Sequence, residues 1–162
     1  MNNVHALLAA VALGATGSGA SAASVCPANH VCASDPASVV EALQAAGYKA
    51  QLGKDNGGDP KIDSSASGYD FAVYFYNCTD NRDCGSLRFA TLFEDDGTNT
   101  PELANTWNKA KRFAQMSAQD NGSLLLAYDV TTVGGVNQAN FADAVDWWQV
   151  MLSEVRNFFG KQ

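Results

Sequence analysis

The chain has 162 residues, 46% of them hydrophobic and 17% charged, with a formal net charge of −7. That balance fits one globular domain with a buried core and excludes a disordered polyelectrolyte. A field of that sign repels a phosphate backbone, so nucleic acid is not an expected partner; the one basic cluster, Lys109, Lys111 and Arg112, reads as a solvated helix end.

Residues 1–22 carry no acidic or basic side chain except His5. Ala6 to Ala15 form an apolar run too short to span a bilayer. Ala20-Ser21-Ala22 follows, a pattern that signal peptidase accepts before Ala23. The expectation is a cleaved signal peptide over residues 1–22 and a periplasmic or secreted mature chain without stable membrane insertion. The first five residues, MNNVH, depart from the usual pattern by lacking Lys or Arg. Lipid anchoring at Cys26 is not expected, because Val25 stands where a small residue is required.

Residues 23–34 read as a leader tied by its own cysteine loop, and residues 35–162 as the domain proper. Cys26 and Cys32 enclose PANHV, and Cys78 and Cys84 enclose TDNRD. Four cysteines allow three connectivities. Both loops are short, polar and rich in turn formers, which favours the local pairs Cys26–Cys32 and Cys78–Cys84. The rival reading of Cys26, His30 and Cys32 as metal ligands has a spacing unlike the usual zinc arrangements, so no metal is expected.

Ser34 or Asp35 then caps a helix that begins at Pro36 and ends at Gly47, with Val39, Val40, Leu43 and Ala46 on its buried side. Short strands are expected over residues 49–52 and 61–64, joined by the turn-forming run KDNGGDP. Residues 69–76 alternate with aromatic side chains on both faces, the mark of a central strand. After the cysteine hairpin, residues 86–93 form the next strand, with Leu87, Phe89 and Phe93 on one face. Thr100 and Pro101 start a second helix through Trp107. Strands over 112–117 and 123–130 flank Asn121-Gly122, a strong hairpin signal. Gly134-Gly135 breaks the chain before the last helix, residues 140–159. The expected order is α-β-β-β-β-α-β-β-α, an α+β domain with an antiparallel sheet and helices packed on one side.

The last helix carries the clearest pattern. Phe141, Val145, Trp148, Leu152, Val155 and Phe159 form one stripe, and Ala144, Trp147, Met151 and Phe158 widen it. The arc is broader than one packing partner needs, which leaves surface for a second contact. Trp147 and Met151 are the leading interface candidates, with Phe158 beside them; burial beneath the leader is the competing reading.

Catalytic chemistry has little to work with. The expected domain contains no histidine, so a Ser-His-Asp or Cys-His mechanism lacks its base. Asp143 with Asp146, or Asp95 with Asp96, are the conceivable acid pairs, but they read more plainly as a helix face and a turn. Asp55, Asn56, Asp59 and Asp63 miss the order of a calcium loop. No phosphate-cradling glycine loop is present, and no cofactor is expected.

The segment from Asn105 to Phe113, NTWNKAKRF, resembles the N-x-W-N-x-x-x-R-F signature of the YbjN-domain family, labelled bacterial sensory transduction regulators. The likeness runs from Asp35 to Phe159 and takes in DPASVVEALQAAGYKAQLGKD, GDPKIDSS, the FYNC–DC hairpin and NFADAVDWW. The resemblance implies a fold like that of type III secretion chaperones, which bind extended segments and commonly dimerise, and it implies no enzymatic mechanism. Within the signature, packing of Trp107 between helix and sheet is the plainer reading, with a ligand platform as the other. Arg112 has two readings as well, an ion pair at the helix-to-strand junction or contact with a partner. Together these give a non-enzymatic, exported domain that binds a protein or peptide through Trp107, Arg112, Trp147, Met151 and Phe158, with a homodimer as one form. The alternatives are a structural envelope protein and a small carboxylate-dependent hydrolase.

Overall fold

Tyr69–Tyr76 and Ser86–Phe93, the strands with the strongest alternation, lie side by side at the centre of a six-stranded sheet. The computed structural model describes residues 25–160; the expected signal peptide, residues 1–22, lies outside them. In chain order the elements are β1 (His30–Val31), α1 (Pro36–Ala45), β2 (Gln51–Lys54), β3 (Pro60–Ala66), β4 (Tyr69–Tyr76), β5 (Ser86–Phe93), α2 (Pro101–Ala110), β6 (Gln115–Ala118), β7 (Leu124–Thr131), β8 (Val136–Asn137) and α3 (Gln138–Phe159). The sheet runs β2-β3-β4-β5-β7-β6, and each neighbouring pair is antiparallel.

The period of two decides which side chains meet the helices. Ile62, Phe71, Val73, Phe75, Leu87, Phe89, Leu124 and Leu126 are buried on that face. Phe89 is the hub, with Trp148 at 6.0 Å, Phe71 at 6.2 Å, and Phe141 and Tyr128 both at 6.3 Å between ring centroids. Burial of side chains this size contributes about 1.5–3 kcal/mol apiece. On the opposite face Tyr74, Arg88 and Asp129 form one cross-strand row and Ala72, Ala90 and Ala127 the next. Arg88 donates to Asp129 from Nε at 2.7 Å and from Nη2 at 2.8 Å. The second face of β4 and β5 is therefore open, with Tyr76 and Leu92 exposed.

The expected order of nine elements holds, and the structure adds β1 and β8, which pair antiparallel as a two-stranded ribbon. Two-residue strands give no usable periodicity, so this ribbon had no sequence signal. It draws the leader into the core: Val31, Cys32 and Ala33 are buried, and the Ala33 amide donates to Thr132 Oγ1 at 2.9 Å. Both cysteine pairs are local, Cys26 with Cys32 and Cys78 with Cys84.

Caps differ in detail from expectation. The Asp35 side chain accepts no cap hydrogen bond; instead Ser38 Oγ donates to the Asp35 carbonyl at 2.7 Å and accepts from the Cys32 amide at 3.0 Å. At α3, Asn137 Oδ1 accepts from the Asn140 amide at 2.9 Å, which starts the helix two residues earlier than its apolar stripe suggests.

Candidate functional site

The signature around Trp107 works as a clasp. Trp107 is buried in α2, and its indole Nε1 donates to the Ala114 carbonyl at 2.9 Å. The neighbouring Asn108 reaches the first residues of β6 from the outside. Its Nδ2 donates to the Met116 carbonyl, and its Oδ1 accepts from the Met116 amide, both at 2.8 Å. A single carboxamide thus imitates one step of a strand partner.

Between the two anchors the backbone is forced to turn, and Phe113 adopts φ of +66°. A bulky residue rarely takes that conformation, which costs on the order of 1–3 kcal/mol. The three clasp hydrogen bonds offset it at about 1 kcal/mol each. The expected strand over residues 112–117 is thereby corrected, because β6 begins only at Gln115.

The turn presents Phe113 to the surface. Its ring stacks on Trp147 with centroids 4.4 Å apart and planes 25° from parallel, and it meets Tyr128 edge-on at 6.0 Å. The Arg112 guanidinium lies over the Phe113 ring, 5.1 Å from its centroid. Phe113 stays 36% exposed and Trp147 37% exposed, with Val150 at 44% one helical turn further on. The rim is charged. Asp143, four residues before Trp147, lies near Tyr128; burial first and this carboxylate second push the Tyr128 phenol above its ordinary range.

The structure divides the expected contact residues. Trp107 and Met151 are in the core, so neither is available to a docking partner. Phe158 is half-buried, its ring edge-on to Trp107 at 5.5 Å. Trp147 and Arg112 are exposed and adjacent through Phe113. The wide apolar arc of α3 has a simple cause: the helix touches the sheet, α1 on one flank and α2 on the other. Lys111 of the α2 end pairs with Glu154 at 2.7 Å, closing the second flank. Arg112 makes no ion pair among the described residues; Lys111 fills the junction role expected of it.

Phe113 and Val150 were not singled out from sequence. A left-handed phenylalanine has no compositional signal, and Val150 falls between the stripe positions.

The two sheet edges differ. At β6 the outward amide and carbonyl of Met116 are occupied by Asn108, so this edge is closed to an added strand. All four residues of β2 are exposed. The Asp55 amide donates to the Asp59 carbonyl at 2.9 Å, which phases the hairpin so that the peptide groups of Leu52 and Lys54 face outward.

Asp143 and Asp146 are both exposed and do not converge: the first lies near Tyr128, the second near Tyr48. Asp95 and Asp96 hold their own turn, accepting from the amides of Gly97 and Thr98 at 2.9 Å. Asp55 likewise accepts from Gly57 at 2.8 Å and Asp59 at 3.0 Å, while Asp63 pairs with Lys61 at 2.9 Å. Among the described residues no group of three or more His, Cys, Asp or Glu side chains is placed to hold a metal, and no helix is long and apolar enough to cross a membrane.

Residues 35–161 match the family model YbjN, "Putative bacterial sensory transduction regulator". Among solved structures, the crystal structure titled "YbjN, a putative transcription regulator from E. coli" aligns over 77% of this chain and 90% of its own, with a TM-score of 0.55 and 16% identity. At that identity the likeness establishes the fold alone. No curated protein matches the chain.

Proposed function

The chain belongs to the YbjN family, whose description is that of a regulator rather than an enzyme, and from that premise we propose an exported, noncovalent protein- or peptide-binding domain. The observation that carries the reading is Phe113, held left-handed by Trp107 and Asn108 so that it stacks on Trp147 at the surface. Strain kept at an exposed aromatic position is a mark of function rather than packing. Phe113, Trp147 and Val150 supply apolar area with Arg112 at its margin; at the opposite edge of the sheet, β2 offers backbone hydrogen bonds to an extended segment as a separate contact. Two local disulfides and the signal-like residues 1–22 support a place in an oxidising compartment, periplasmic or outside the cell.

Site-specific photo-cross-linking in the native envelope tests this. A photoreactive residue at position 147 should give a discrete adduct, and one at position 76 on the open sheet face should not. An adduct of twice the protomer mass would make the partner a second copy. Equal labelling from both positions, or none from 147, would remove the proposal.

A further inference from the structure

Where α3 runs out, a cleft of about 370 Å³ opens between β4, β5 and the loop after β5. Its wall is aromatic. Tyr69 meets Phe93 edge-on at 5.5 Å, and Phe93 meets Phe159 edge-on at 5.0 Å. All three rings are half-buried, so each keeps surface toward solvent. The rim is acidic, formed by exposed Glu94 and Asp96 with Asn99 between loop and wall.

The loop is held in this form by its own hydrogen bonds. Asn99 Nδ2 donates to the Glu94 carbonyl at 2.9 Å, and Asp96 Oδ1 accepts from Thr98 Oγ1 at 2.7 Å and from the Thr98 amide at 2.9 Å. Those bonds, the hydroxyl's first, hold the Asp96 carboxyl below its usual range and keep it ionised. Phe159 is the last residue of α3, so the negative pole of a 22-residue helix lies at the same place. Arg156, one turn back, rests its guanidinium against Gly68 and does not line the cleft.

Aromatic rings, two carboxylates and a helix C-terminus all favour positive charge. The apolar wall offers nothing to a bare metal ion, which wants oxygen ligands all round. We infer that the cleft binds an alkylammonium group, carried by a free quaternary ammonium compound or by a lysine side chain. Phe159 is twelve residues from Trp147, about 18 Å along the helix axis, so this site is separate from the Phe113–Trp147 surface.

The test is a titration followed by nuclear magnetic resonance at the Tyr69 and Phe159 rings. The probes are choline, its neutral carbon isostere dimethylbutanol, and Nα-acetyl-lysine methylamide, whose side-chain ammonium is free. Choline should shift both rings saturably and bind about tenfold tighter than the isostere. Glu94→Gln with Asp96→Asn should remove most of that advantage and leave the isostere unchanged; Asn retains the oxygen that accepts from Thr98, so the loop is kept. Tighter binding of the lysine derivative than of choline assigns the group to a protein side chain, and the reverse assigns it to a free ammonium compound. Equal binding of choline and isostere, no saturable shift, or indifference to the double variant would each overturn the inference.

Discussion

Replacing Asn108 with Ala should cost far more than its exposed position suggests. The side chain makes two hydrogen bonds at 2.8 Å, both to the backbone of Met116, a residue that is 3% exposed. Each is worth about 1 kcal/mol, and water reaches the vacated groups only in part, so Asn108→Ala should lose about 2 kcal/mol. With a urea slope near 2 kcal/mol per molar for a domain of this size, the midpoint should fall by about 1 M. Asn108→Asp keeps the acceptor but turns a carboxylate toward the Met116 carbonyl, so it should lose at least one bond's worth. Asn105→Ala, on the exposed side of the same helix, should stay within about 0.5 kcal/mol of the parent. Urea unfolding gives the stability, and amide exchange at Met116 gives the location. An Asn108→Ala protein as stable as the Asn105→Ala control, with Met116 still protected, would refute the clasp.

Ser64 is 8% exposed and its Oγ has no hydrogen-bond partner among the described residues, so Ser64→Ala should be neutral or stabilising by up to about 1 kcal/mol in the same assay; a clear loss would mean the hydroxyl is satisfied by buried water. Gly122 has φ of +83°, and a Cβ there would come within 2.6 Å of Asp95 Oδ2. Gly122→Ala should therefore cost about 1–3 kcal/mol, and adding Asp95→Ala should recover only the steric share. Asp143→Asn should bring the Tyr128 phenol partway back toward 10.0, since burial remains. Because the folded-state value is raised, the stability linked to Tyr128 is complete below pH 10.0 and lost as pH climbs through the folded value; the variant should lose less, as read by unfolding at alkaline pH.

Much of the fold was legible because it rests on period. The alternation from Tyr69 to Tyr76 and from Ser86 to Phe93 located β4 and β5 at their observed limits, and Pro36 and Pro101 marked the starts of α1 and α2. The site was less legible, for physical reasons. Periodicity reports how much apolar arc a helix has but not how many neighbours share it, so Met151 looked available when the elements around α3 bury it, whereas Trp107 packs between helix and sheet as the plainer of its two readings had it. The signature from Asn105 to Phe113 was visible as a pattern, whereas its effect depends on side chains bonding to backbone seven and eight residues ahead. That long reach, from Trp107 to Ala114 and from Asn108 to Met116, is what turns Phe113 outward.

Hydroxyl-radical footprinting of the purified protein and of the native envelope, read at Phe113, Trp147 and Val150 with Tyr76 as internal reference, is the most direct measurement. Strong oxidation of the first three in isolation and their selective protection in the envelope is the expected result. Equal oxidation in both settings, or protection of Tyr76 instead, would contradict the assignment of this surface as the contact site.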